Sequence, residues 1–291
     1  MTDRMAADVS VRDVEDGDLV RVSAIAAAAG QQDEWGGQNR AYIRHLSGYG
    51  RVVVATLDGT VAGFGATQQL GTGEAAVSML CDLFVDPAAH GQGCGRAILA
   101  ELWRDVPRRM TFSSLHANAL PLYTSFGLDA WWPLLEMSGE VDSLPRPAGW
   151  RTRPVTADEV GQLELDWTGR DRTADHRAWA GRPGGAALVV MHGPHVLAAG
   201  TLGGPAAEYG IVHMALSPAV DDDAAAAAAV LTALRYCDPP GRLTHVCLPA
   251  PHPAVRPLLA AGWRSDAFDL FMATDPAVLD PRRAVPSPAQ A

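Results

Sequence analysis

His90-Gly91-Gln92-Gly93-Cys94-Gly95 places three glycines between an apolar run ending at Val85 and an amphipathic run starting near Arg96. Glycine reaches positive φ at little steric cost and lets the backbone approach a ligand closely. The N–H groups and dipole of a following helix attract an anion. A strand, glycine loop and helix in this order suit a pyrophosphate, held by His90, Gly91, Gln92, Gly93, Cys94, Gly95 and Arg96. A plain glycine-rich turn is the competing reading, and the strand-to-helix context disfavours it. Cys94 stands where a helix dipole lowers a thiol pKa. Packing or exposure is its simpler role.

Asp82 lies in the strand-like run CDLFVDP. Alternation puts Asp82 and Phe84 on one face and Cys81, Leu83 and Val85 on the other. The carboxylate can serve as a base or an amine anchor, or as a structural hydrogen-bonded group. The polar stretch Gln31 to Arg40 and the helix after it contribute Asp33, Glu34, Trp35, Tyr42 and His45. Carboxylates beside aromatics suit a cationic, partly apolar amine. The same residues also fit a polar surface loop anchored by one tryptophan.

These residues need elements to position them. Val9 to Val14 reads as a strand, followed by an Ala-rich amphipathic helix from near Asp16 to Gly30 and a short helix around residues 40–45. RVVVATL, an Asp58-Gly59 turn and TVAGFGATQ predict a hairpin. AAVSMLCDLFV predicts a third sheet strand of this region, broken by Asp86-Pro87, and RAILAELW a helix after the glycine loop. TFSSLHA then reads as a strand, ALPLYTSF as a helix closed by Gly127, and AWWPLLEMSGE as the last strand before Trp150.

The glycine loop resembles motif A of the GNAT superfamily of N-acetyltransferases, in which Q/R-x-x-G-x-G/A follows a strand and a proline. Gly93 and Gly95 match, and His90 stands at the Q/R position. The resemblance extends over residues 8 to 140 through the hairpin, the long third strand and the Y-x-x-x-G-hydrophobic ending at Tyr123. It implies a mixed, mostly antiparallel sheet splayed after its fourth strand, flanked by helices. The pantetheine arm of acetyl-CoA, the co-substrate, would lie beside Leu83, Phe84 and Val85. It further implies that Tyr123 protonates the departing thiolate, and that the segment with Asp33, Glu34, Trp35 and Tyr42 caps the acceptor. A phenol near pKa 10 is a slightly weaker acid than a thiol near 8.5, so this donation is uphill but feasible when aligned. CDLFVDP is similar to the acidic strand of polyamine acetyltransferases, with Cys81 where glutamate is common there.

From Trp150 the order begins again. VRDVEDGDL is echoed by TRPVTADEV, LFVDPAAHGQGCGRAILAEL lies over MALSPAVDDDAAAAAAVLTAL, and SFGL matches AAGW. The expected fold class is α/β (α+β), with two tandem GNAT-like domains. Residues 8–143 form the catalytic copy, 148–280 a degenerate one, and 281–291 a disordered tail. In the second copy Asp221-Asp222-Asp223 replaces His90-Gly91-Gln92, Ala224 and Ala226 replace Gly93 and Gly95, and Leu258 stands over Tyr123. One carboxylate about 6 Å from a phosphate charge costs roughly 3 kcal/mol at an effective dielectric near 20. The aspartates also suit a helix N-terminus. Such tandem architecture is similar to that of actinobacterial two-domain acetyltransferases.

The 291 residues fit two domains, and no apolar stretch of about 18 occurs. A membrane partner is therefore not expected, and the polar N-terminus and four unpaired cysteines suggest a cytoplasmic protein with reduced thiols. A net charge of -10 disfavours nucleic acid and suits amines. The histidines His192, His195, His213 and His252 lack metal-ligand spacing, so no metal is expected. Dimerisation is one role open to the second copy. The leading reading is an acyl-CoA-dependent N-acyltransferase in which a primary amine of a small molecule or peptide attacks the thioester directly. Its alternatives are a non-catalytic acyl-CoA-binding sensor, and a GNAT-fold enzyme with altered acyl chemistry.

Overall fold

A computed structural model describes residues 8–29, 41–73, 76–204, 209–237 and 243–288. The chain divides into two compact units, residues 1–69 with 77–109, and residues 70–76 with 110–291. Among the described residues no helix is long and apolar enough to cross a membrane. All four cysteines are free.

The first unit runs β1 (Val9–Asp13), α1 (Leu19–Ala28), α2 (Ala41–Tyr49), β2 (Gly50–Leu57), β3 (Thr60–Leu70), β4 (Val77–Val85) and α3 (Cys94–Leu102). Its strands lie in the order β1-β2-β3-β4, with β1/β2 and β2/β3 antiparallel. Asp58 and Gly59 both take positive φ (49° and 80°), as the twist of a two-residue hairpin demands. Two glycines in β3 set the depth of the sheet. A Cβ on Gly65 would lie 2.5 Å from Ile98 Cγ2, and one on Gly63 would lie 2.9 Å from the Phe84 carbonyl oxygen. Helix α3 therefore rests directly on β3, which fixes where its N-terminus begins. Val85 Cγ2 and Ile98 Cδ1 converge on Gly63, so Val85 faces α3. By alternation Leu83 shares that face, and Asp82 and Phe84 take the other.

The second unit contains β5 (Arg109–Ser113), α4 (Ala119–Thr124), β6 (Asp129–Gly139), β7 (Trp150–Val155), α5 (Ala157–Thr168), α6 (Thr173–Ala180), β8 (Ala186–His192) and β9 (His195–Gly203). These lead into β10 (Gly210–Leu216), α7 (Asp223–Tyr236), β11 (Thr244–Pro249), α8 (Val255–Ala260), β12 (Arg264–Ala273) and β13 (Ala284–Val285). The strand order is β5-β12-β6-β11-β10-β9-β8-β7. Among the described residues of this unit β10 and β11 pair parallel, with Gly210 opposite His245, and the neighbouring strands otherwise pair antiparallel.

That order exchanges strands between the sequence repeats. β6 closes the first repeat yet pairs with β11, a strand of the second. β12 closes the second repeat yet pairs with β5, a strand of the first. Three rings stitch the seam, because Phe271 of β12 lies opposite both Phe112 of β5 and Trp132 of β6. Its ring stacks on Trp132 at 4.3 Å between centroids and tilts against Phe112 at 5.4 Å. The compact units divide at residues 109 and 110, within the first repeat. The repeat itself shows in matching helix ends. After α4, Leu128 N–H donates to the Tyr123 carbonyl and Gly127 has φ 81°. After α8, Trp263 N–H donates to the Leu258 carbonyl and Gly262 has φ 88°.

The run after Asp280 departs from the expected disorder. Ala284 and Val285 form β13, pairing with Ala215 and Met214 of β10, and Val285 is fully buried. β11 pairs with β10 only at Gly210 and Ile211, and β13 pairs with the same strand further along, so backbone pairing and an apolar socket order a Pro/Ala-rich segment whose composition alone argued otherwise.

Candidate active site

The glycine loop begins where β4 ends. Asp86 caps the turn by accepting from Ala88 N–H (2.9 Å) and pairs with Arg21 of α1, whose Nε also donates to the Val61 carbonyl at 3.0 Å. The Ala88 hydrogen bond and the Arg21 guanidinium hold the Asp86 carboxyl below its ordinary range. Sequence reasoning used Asp86 only as a strand breaker. Its chemical signal, an Asx residue before Pro87, was available.

His90 turns back on the strand, its Nε2–H donating to the Val85 carbonyl at 3.0 Å. Gly91 and Gly93 have φ of 76° and 90°, and a Cβ on either would meet nothing within 4 Å. Backbone conformation rather than crowding thus calls for glycine at both. Gly93 occupies the N-cap of α3 with no side-chain cap, so the first-turn N–H groups, which have no intrahelical partner, point from an uncapped end. An open loop at a bare helix N-terminus fits an anionic group by backbone N–H donation and dipole. Cys94 is 1 % exposed and burial pushes its thiol up, opposite to the lowering a helix N-terminus can give. Its side chain packs inward, so only its backbone can line the loop. Gln92 donates back to the Ala88 carbonyl (3.4 Å), Arg96 is exposed and Gly95 half-buried.

On the face of β4 away from α3, Asp82 is buried at 7 % exposure and accepts from Tyr42 Oη at 2.8 Å. Helix α2 supplies that tyrosine, itself 8 % exposed, while Leu46 and Ile43 anchor the helix in the core. Phe84 packs on Phe64 beside it, with 5.4 Å between ring centroids. The structure therefore brings together two residues that the sequence placed in separate motifs. His45 lies against Tyr49 at 5.1 Å. Asp33, Glu34 and Trp35 lie outside the described residues. Tyr123 belongs to the second unit, on α4, and is 8 % exposed.

The corresponding helix of the second repeat ends differently. Asp222 is the N-cap of α7 and accepts from Ala225 N–H at 2.7 Å, and Asp223 pairs with Arg282. Leu258 is fully buried.

Residues 48–127 match the model of the Acetyltransferase (GNAT) domain. The chain carries a GNAT acetyltransferase domain. Over most of its length the chain also shares its fold with solved structures. A putative acetyltransferase from Pyrococcus horikoshii aligns at TM-score 0.66 and 14 % identity, covering 97 % of this chain and 96 % of that one. A tandem GNAT protein from the clavulanic acid biosynthesis pathway aligns at 0.60 and 16 %, covering 92 % and 99 %. A GCN5-related N-acetyltransferase from Kribbella flavida aligns at 0.60 and 13 %, covering 97 % and 75 %. At such identities the likeness is one of fold. No curated protein sequence matches the chain.

Proposed function

We propose that this GNAT protein transfers an acetyl or short acyl group from acyl-CoA to a primary amine of a small molecule or peptide. The carrying observation is the open, uncapped cradle of Gly91, Gly93 and the α3 N-terminus, set against the Asp222-capped α7 in the other repeat. Backbone N–H groups from Gly93 to Gly95 would hold the pyrophosphate, with Leu83, Phe84 and Val85 along the pantetheine arm. In the second repeat the helix start carries a carboxylate, Asp222, already bonded to the Ala225 N–H. Repulsion of roughly 3 kcal/mol for each charge pair opposes phosphate there. One cofactor site per chain follows.

Asp82, oriented by Tyr42, takes the proton of the attacking amine directly or through a water. The amine nitrogen forms a bond to the thioester carbonyl carbon, the carbon–sulfur bond breaks, and the thiolate receives a proton. Tyr123 is assigned that donation from its matching place in the family pattern. A carboxylic side chain at Asp82, in a chain of net charge -10, suits cationic acceptors. Asp33, Glu34 and Trp35 complete the acceptor region in this reading.

The sensor reading draws on His90, whose ring is tied back to Val85 where the family pattern has Gln or Arg. Thiol release from acetyl-CoA against a panel of amines separates the two. Turnover that falls at least about tenfold in Tyr123→Phe supports transfer. Binding without turnover, indifferent to Tyr123→Phe, supports the sensor.

A further inference from the structure

Within the second unit, α5, α6 and β10 converge on a buried polar cluster that acyl transfer does not use. Glu164 of α5 is 2 % exposed, His176 of α6 0 % and His213 of β10 5 %. His176 Nε2 lies 2.7 Å from Glu164 Oε2, and His213 Nε2 lies 2.9 Å from Glu164 Oε1. The three groups each present one ligand atom, all within 4.8 Å of one another. We propose that Glu164, His176 and His213 form a structural site for a divalent transition metal, zinc being the best match to two imidazoles and one carboxylate.

Charge makes the case first. A fully buried carboxylate requires a compensating cation. The neighbouring Arg172 is engaged with Asp175 at 3.1 Å, both 1 % exposed, and that pair is neutral by itself. Compensation for Glu164 thus falls to whatever sits between it and the two rings, a proton or a metal. His176 Nδ1 lies 2.7 Å from Thr201 Oγ1. If Nδ1–H donates to that hydroxyl, the Nε2 lone pair points at a carboxylate oxygen, an arrangement only a cation between them makes attractive. A metal-ligating histidine is held in this way, its second nitrogen fixed by an outer partner.

Geometry agrees. Zinc lies about 2.0–2.2 Å from nitrogen and oxygen donors, so donors subtending 90–110° stand about 3.0–3.4 Å apart. The observed 2.7 and 2.9 Å need to open by a few tenths of an ångström, and the widest donor separation, within 4.8 Å, needs to close by at most about 1.4 Å. Trp179, 2 % exposed, covers one side, with its ring 5.6 Å from that of His213 and edge-on to His176 at 5.3 Å. Glu164 faces His176 with Oε2 and His213 with Oε1, so a bidentate carboxylate and two imidazoles supply the four donors of a buried metal that staples α5 and α6 to the sheet.

The full-length protein, stripped with a chelator, is titrated with Zn2+ and with Co2+. One equivalent per chain is expected, with a rise in Tm and cobalt d–d bands lacking thiolate charge transfer. X-ray absorption at the zinc edge should show only nitrogen and oxygen neighbours, two of them imidazoles. Glu164→Gln should weaken binding more than roughly tenfold, the least that loss of even an outer partner costs. His195→Ala, on the exposed β8–β9 hairpin, should leave it unchanged. Folding of each variant is checked by circular dichroism. Should Glu164→Gln not fold, the zinc-edge spectrum of the wild type decides. No uptake by the folded wild type, a spectrum without two imidazoles, or binding abolished only by His195→Ala would overturn the site.

Discussion

Tyr42, on α2, donates its hydroxyl to Asp82, on β4, across 2.8 Å in the interior of the first unit. The bond fixes the direction of one carboxylate oxygen. Asp82→Asn is expected to lower kcat/KM about 10²- to 10⁴-fold, the usual worth of a positioned base, with acetyl-CoA affinity unchanged. Tyr42→Phe should cost about 1–3 kcal/mol of stability, since it leaves a buried acceptor one donor short, and should reduce activity less than Asp82→Asn. Thiol-release kinetics and urea denaturation check both. Full activity in Asp82→Asn would remove it from the chemistry.

Phe271 sits at the centre of the exchanged strands, between Phe112 and Trp132. Its truncation to alanine empties the only fully buried ring of that ladder and should cost about 3–5 kcal/mol. Phe268, on the same strand but 43 % exposed, should tolerate alanine within about 0.5 kcal/mol. Equal urea midpoints for the two variants would contradict the seam.

His252 stands before α8 with its Nδ1 accepting from Ala254 N–H at 3.1 Å, a bond only the unprotonated nitrogen can make. Burial pushes its pKa down from 6.5 to about 4. The unfolded chain therefore takes up a proton at a pH where the folded chain does not, and stability is greatest above pH 6.5. Between pH 6.5 and 4 it should fall by about 3 kcal/mol from this group, with no further loss below. His252→Asn, whose Oδ1 can still accept the Ala254 N–H, should flatten that slope in denaturation curves taken at several pH values.

Much of the first repeat was legible because its signals are local. Asp58-Gly59 announced the hairpin, Asp86-Pro87 the strand end, and the spaced glycines the loop. Asp222 capping α7 was legible for the same reason, through Asx chemistry at a helix start. The strand exchange was not, because β6 and β12 carry similar patterns and nothing in a repeat says which copy its last strand will join. Nor was the Glu164 cluster, whose partners lie 12 and 49 residues along the chain and meet only once α5, α6 and β10 pack. His176 drew no attention at all in the sequence. Cys94 was ambiguous from sequence, since a helix N-terminus and a buried position push a thiol in opposite directions, and burial prevails.

Calorimetric titration of the full-length protein and of Gly93→Asp with acetyl-CoA tests the cradle most directly. Gly93 has φ 90° and precedes the uncapped α3, so aspartate there adds both backbone strain and a negative charge at the anion position. Binding at one site per chain, lost in a folded Gly93→Asp variant, is the expected result. Two sites per chain, or none in the wild type, would contradict the assignment of one open and one closed repeat.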